Sequence, residues 1–170
     1  MSPQIAAAAT DPGLDQDAVA LYRALTALTR VYQFRDRDKI CCRGISVTQC
    51  YALEALVWHG PLTLNQLASH LYLDKSTVSR VVDTLERKEL VRRRPHTQDR
   101  RAISLSPTRK GRQLCDRIQQ DMADRERELI ADFEPEVRTA MIELIGRLAR
   151  EAEDHAKGLG KGCSCADGRS

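Results

Sequence analysis

Residues Asp74 to Lys88, DKSTVSRVVDTLERK, constrain what this chain can fold into more than any other stretch. Val78, Val81, Val82 and Leu85 fall at i, i+3, i+4 and i+7, the spacing of one buried helical stripe, and Asp74 is placed to cap the helix start. A helix with so narrow an apolar stripe must pack one side and leave the other to solvent. That outer side carries Lys75, Ser76, Thr77, Ser79 and Arg80 near the helix start, short hydroxyls and cations with the reach to meet phosphates or base edges. Farther along, Asp83, Arg87 and Lys88 read as surface pairs worth roughly a few tenths of a kcal/mol.

The segments before it supply the surface for that stripe. Residues 1–15 show no periodicity and are read as a disordered leader. From Gln16, Ala18, Leu21, Leu25, Leu28 and Tyr32 recur at three and four, predicting an amphipathic helix that ends in the charged stretch Arg35 to Lys39. Ser46-Val47-Thr48-Gln49 is a capping box with Ile45 and Cys50 as its hydrophobic staple. The helix it starts is apolar on most sides through Leu53, Leu56, Val57 and Trp58, so a central position is expected, with an end at His59-Gly60-Pro61. A second capping box, Thr63-Leu64-Asn65-Gln66, stapled by Leu62 and Leu67, starts a short helix whose stripe is Leu64, Leu67, Ala68 and Leu71. Tyr72-Leu73 then make the turn into Asp74, giving a helix-turn-helix unit.

Two strand-like runs follow, Leu90 to Arg94 and Ala102 to Leu105, around a turn-rich loop, Pro95 to Arg101, that carries arginines. A helix-turn-helix followed by such a hairpin is a winged helix. Ser106 before Pro107 predicts an N-cap with proline at the first helical position, opening a long helix with Leu114, Ile118, Met122, Leu129 and Phe133 as its apolar positions. Glu134-Pro135 breaks it, and a last helix carries Val137, Met141, Leu144, Ile145, Leu148 and Ala152. These long helices and the first one exceed what a small winged domain can cover, which predicts a helical dimerisation layer. The expected class is therefore mainly α: a winged helix-turn-helix domain over 45–105, a dimerisation region over 16–44 and 106–157, and a flexible Cys-containing tail over 158–170.

The net charge of +3 hides an asymmetry. Lys75 to Arg112 holds 12 Lys and Arg against 4 Asp and Glu, a local +8, while the remainder stands at −5. One segment seeks polyanions and an acidic body carries it. No apolar run approaches the roughly 18 residues of a membrane span. MSPQIAAAATDPG lacks the basic and apolar regions of a signal peptide, so a cytoplasmic protein without a membrane partner is expected. An enzyme is disfavoured: the chain has no phosphate-cradling Gly loop, Gly-x-Ser-x-Gly elbow or His-Glu-x-x-His pair, and His59, His70, His96 and His155 are scattered. A winged module that binds protein instead of DNA is a further reading, against which the arginine-rich wing argues.

From Gln16 to Lys157 the chain resembles the MarR (multiple antibiotic resistance regulator) family of winged-helix transcriptional regulators. The residues that carry the resemblance are Leu73 to Arg80, Leu85 to Lys88, Leu90-Val91, Asp99-Arg100-Arg101, Leu105 and Gly111. It implies a homodimer whose first, fifth and sixth helices interlock. It also implies a wing tip whose arginine, here Arg101, enters the minor groove while an aspartate, here Asp99, orients it; a guanidinium is drawn to the negative potential of a narrow A·T-rich groove. Ser76, Thr77, Ser79 and Arg80 are then expected in the major groove of double-stranded DNA. Lys75, Arg92, Arg94 and Arg100 are expected mainly on its phosphates, over a pseudo-palindromic operator with half-sites one helical turn apart. Two positions depart from the family pattern. Glu89 stands where glycine is usual after the recognition helix, a place suited to a left-handed residue, at a cost of roughly 1 kcal/mol. Pro107 is also not the commonest residue at its place, though proline at a first helical position is physically comfortable.

Six cysteines without a secretory signal are read as thiols. Cys115, and to a lesser degree Cys50, suit the role of small buried hydrophobes. Cys41 and Cys42 are flanked by Lys39 and Arg43, whose charge favours thiolate, and Cys163 and Cys165 sit on a Gly-rich tail. The expectation is a repressor released by a thiol-directed effector, a metal or metalloid ion such as arsenite, or an oxidant, acting at Cys41, Cys42 and Cys50 with Cys163 and Cys165 contributing. The alternative is release by a small amphipathic or phenolic ligand in the cleft between the dimer and DNA-binding regions.

Overall fold

The computed structural model describes residues 12–95 and 103–159, with side-chain surroundings except at 12, 34–39, 41, 42 and 157–159. In order the elements are α1 (Pro12–Cys42), α2 (Val47–Trp58), β1 (Leu62–Thr63), α3 (Leu64–Leu71), α4 (Lys75–Arg87), β2 (Val91–Pro95), β3 (Ile103–Pro107), α5 (Arg109–Leu129) and α6 (Pro135–Leu159). The chain divides after Gln120 into two compact units.

In the first unit both capping boxes form. Ser46 Oγ accepts from Gln49 N–H at 3.2 Å while Gln49 Oε1 accepts from Ser46 N–H at 3.2 Å, and Thr63 and Gln66 repeat the exchange at 3.3 and 2.8 Å. The staple residues Ile45, Cys50, Leu62 and Leu67 are all buried. The core is built from α2, α3 and α4 over a small sheet, with Leu53, Leu56, Leu67, Val78, Val82, Leu85, Val91, Leu105 and Cys115 fully buried. At roughly 1.5–3 kcal/mol per buried aliphatic side chain, these residues dominate the stability of the unit.

The sheet order is β1-β3-β2, antiparallel throughout. The wing pairs as predicted, with Arg92 opposite Ser106 and Arg94 opposite Ser104. β1 has no counterpart in the sequence reading: its two residues pair with Leu105 and Ser104, and Thr63 serves at once as strand end and helix cap.

Several expectations change. α1 begins at Pro12, so 12–15 belong to the helix and not to a leader; Pro12 opens it and Asp15 lies in its first turn, where the helix dipole favours an anion. α1 also runs on through the charged stretch to Cys42. Trp58 is 66% exposed, so α2 is central on one side only. The fifth helix starts two residues later than predicted: β3 continues through Ser106 and Pro107, and Thr108 is the cap, its Oγ1 accepting from Gly111 N–H at 3.0 Å. Proline is tolerated there because it ends the strand. Phe133 falls in the turn after α5, its N–H donating to Ile130 O at 3.2 Å.

Glu89 does adopt the left-handed conformation, with φ +60°. Leu90 N–H donates back to Leu85 O at 2.9 Å and Glu89 N–H to Glu86 O at 2.8 Å, the closure of a helix that ordinarily uses glycine. Gly111 is needed for contact: a Cβ there would stand 2.1 Å from the Leu90 carbonyl oxygen. The second unit takes the end of α5 and all of α6, and its Leu129, Val137, Ile142, Leu144 and Ile145 are exposed on the single chain. Leu14, Leu21, Leu25 and Leu28 of α1 are likewise exposed in the first unit.

Candidate nucleic-acid interface

α4 presents the side that its sequence pattern leaves free. Val78, Val82 and Leu85 are fully buried and Val81 is half-buried, so Lys75, Ser76 and Arg80 are exposed, with Thr77 and Ser79 half-exposed beside them. Asp74 organises the helix start. Its Oδ1 accepts from Thr77 N–H at 2.8 Å and from Ser76 Oγ at 2.5 Å, and its Oδ2 accepts from Thr77 Oγ1 at 2.6 Å. The hydroxyls of Ser76 and Thr77, then the Thr77 N–H, hold the Asp74 carboxyl well below the usual carboxylate range. This has a chemical consequence. With their O–H groups donating to Asp74, Ser76 and Thr77 offer hydroxyl oxygens as acceptors, whereas Lys75 and Arg80 remain donors. Sequence reasoning did not assign Ser76 and Thr77 a hydrogen-bonding sense; the Asp-x-Ser-Thr spacing at the cap was the signal for it.

The wing is tied to this helix by a residue that reasoning from sequence passed over. Arg93 Nη2 donates to Asp83 Oδ1 at 2.6 Å, and its Nη1 lies 3.4 Å from Glu86 Oε2. Side chains alternate along a strand, so with Arg93 turned to α4 the exposed Arg92 and Arg94 lie on the other face of β2. Asp83 is thus a surface pair, as expected, but its partner is on the wing. The wing tip residues Asp99, Arg100 and Arg101 lie outside the described residues, as do Cys163 and Cys165.

Among the cysteines, Cys50 is 2% exposed in the core of the first unit. Burial, with Glu54 and Asp116 nearby, pushes the Cys115 thiol up to about 11. Both behave as packing residues. Cys41 and Cys42 form the last turn of α1; their side chains lie outside the described residues. Among the described residues no three His, Cys, Asp or Glu side chains converge as metal ligands. His59 and His70 stack, with ring centroids 4.3 Å apart. No described helix is long and apolar enough to cross a membrane.

An outward helix start rich in polar groups, braced against a basic hairpin, has clear relatives. The model of the MarR family matches residues 45–103, the segment from α2 to the first residue of β3. The chain is 32% identical over 141 residues to the HTH-type transcriptional regulator MhqR of Bacillus subtilis, covering 81% of this chain and 97% of MhqR. It is 32% identical over 97 residues to the HTH-type transcriptional repressor MdtR of the same organism, covering 57% of this chain and 63% of MdtR. In three dimensions it is similar to the crystal structure of a MarR family transcriptional regulator from Silicibacter pomeroyi, with TM-score 0.69 and 26% identity over 85% of this chain and 96% of that one. The chain belongs to the MarR family of winged helix-turn-helix proteins, and is a DNA-binding transcriptional regulator and not an enzyme.

Proposed function

We propose that this regulator is a repressor that binds a pseudo-palindromic operator as a homodimer, with one α4 in each of two successive major grooves. The observation that carries this reading is the capped, outward start of α4 with the basic strand β2 braced beside it. In this arrangement Arg80 is the donor for a guanine edge, a contact worth about 1–3 kcal/mol of discrimination. Ser79 stands beside it, and Ser76 and Thr77 accept from base amino groups. Lys75, Arg92, Arg94 and Arg100 neutralise phosphates and set the salt dependence. Arg101, oriented by Asp99, enters the minor groove. MdtR is named a repressor, which supports the direction of control proposed for this chain.

A thiol-directed effector, a metal or metalloid ion or an oxidant, is proposed to release the operator. Its place is Cys41-Cys42, where α1 ends one short loop before the winged domain, with Cys163 and Cys165 as further thiols. Cys50, the third thiol expected there, is 2% exposed, so the reading rests chiefly on Cys41 and Cys42.

Gel-shift titration on the native promoter fragment tests both parts. Arg80→Ala and Arg101→Ala should each weaken operator binding by roughly tenfold to a hundredfold. Unchanged affinity for Arg101→Ala removes the wing assignment, and a single monomer on a non-palindromic site removes the dimer. For the effector, arsenite, zinc and peroxide are added to Cys41→Ser, Cys42→Ser and Cys163→Ser proteins. Release that persists in all three variants rejects the thiol reading.

A further inference from the structure

The end of α1, the end of α4 and the first turns of α5 meet at a cavity of about 280 Å³ within the first unit. Its lining holds four cations, Arg43, Lys88, Lys110 and Arg117, and among the described residues no carboxylate. Ile45, Leu90 and Leu114 complete the lining and are themselves buried. Two of the cations have local reasons to be there. The C-terminal ends of α1 and α4 favour positive charge, and Lys88 Nζ donates to the Gly44 carbonyl and to Gln49 Oε1 at 3.3 Å. Lys110 and Arg117 do not share that reason. Lys110 lies in the first turn of α5, which holds no acidic residue, at the end of a helix where the dipole opposes a cation. Glu89 is its counter-charge, 3.2 Å away, a residue held in the left-handed conformation at the close of α4.

We propose that this cavity binds a compact, multiply charged phosphate anion, of the pyrophosphate type, either free or as part of a phosphate ester. Two guanidinium and two ammonium groups offer more donors than a monocarboxylate can accept, whereas a pyrophosphate presents oxygens and charge for several of them at once. The volume suits such a group and falls below that of a pocket for a drug-sized molecule. Glu89 is an internal competitor for Lys110. A bound anion joins the α1–α2 junction, the end of the recognition helix and the start of α5, so occupancy stiffens the seam where these three elements meet.

Isothermal titration of the full chain without DNA, at fixed ionic strength, tests this independently of the operator reading. Inorganic pyrophosphate should bind once per chain, and benzoate at the same ionic strength should not. Lys110→Gln and Arg117→Gln should each weaken it roughly tenfold. Glu89→Gln should tighten it roughly two- to fivefold, a gain that loss of folding cannot imitate. An Arg92→Ala, Arg94→Ala protein should bind as well as the parent. A nucleoside 5′-diphosphate that binds more tightly than pyrophosphate identifies an ester as the occupant, and equal or weaker binding identifies the free anion. Absence of pyrophosphate binding, undiminished affinity in the Lys110 and Arg117 variants, or loss of affinity in the Arg92, Arg94 protein each overturns the proposal.

Discussion

Asp74 shows how much a single side chain decides at the start of a recognition helix. It caps α4 through the Thr77 N–H and accepts hydrogen bonds from the hydroxyls of Ser76 and Thr77, so it fixes both the helix start and the hydrogen-bonding sense of two neighbours. Its carboxyl ionises well below its ordinary value of 3.8, so the charged form is the one the folded state favours. The contribution to stability is fully present above that ordinary value and is lost as pH falls through it towards the lower folded value. Asp74→Asn keeps a capping oxygen but cannot titrate. Thermal melts from about pH 6 to pH 3 should therefore show a steeper loss for the parent than for Asp74→Asn. Parallel curves would mean that the carboxylate contributes nothing beyond a neutral cap. The cap itself was legible in the sequence; that both neighbouring hydroxyls donate to it is settled by their side-chain rotamers.

At the scale of elements, the best-read parts are those governed by local chemistry. Both capping boxes, the stripe of α4 and the wing appear because a cap or an alternating strand needs only residues a few positions apart. The errors cluster where a distant partner intervenes. β1 exists because β3 offers Leu105 and Ser104 as hydrogen-bonding partners for Leu62 and Thr63, and two residues leave no periodicity to read. The start of α5 moved because β2 holds Ser106 and Pro107 in the sheet, so the cap passed to Thr108. The brace between wing and helix is also tertiary: Arg93 pairs with Asp83, ten residues earlier, and with Glu86. Both pairs are partly exposed, so their effect on global stability is small, roughly 0.2–1 kcal/mol. Their effect on wing position is larger in consequence. Asp83→Lys should leave the melting temperature within about 3 °C of the parent while lowering operator affinity several-fold, checked by calorimetry beside a gel shift. Equal affinity would show that the wing needs no brace.

At the scale of the whole molecule, the single chain leaves apolar rows on α1 and α6 without cover. Leu21, Leu25 and Leu28 are between 40% and 48% exposed on α1, and Leu144 is 66% exposed on α6. Contiguous apolar faces of this kind belong to interfaces, which is the physical support for the proposed homodimer. A protein with Leu25→Glu and Leu28→Glu should run as a monomer by light scattering at micromolar concentration and lose cooperative operator binding. A parent-like dimer from that variant would place the interface elsewhere. The amino-acid sequence by itself determined the six helices, the wing and the outward face of α4, because periodicity, caps and turn residues act over a few positions. Only the tertiary structure decided that Arg93 braces the wing, that Cys50 and Cys115 are sealed in the core, and that four cations converge beside Glu89. Those outcomes depend on side chains far apart in the chain meeting in space, and no local pattern records where they will meet.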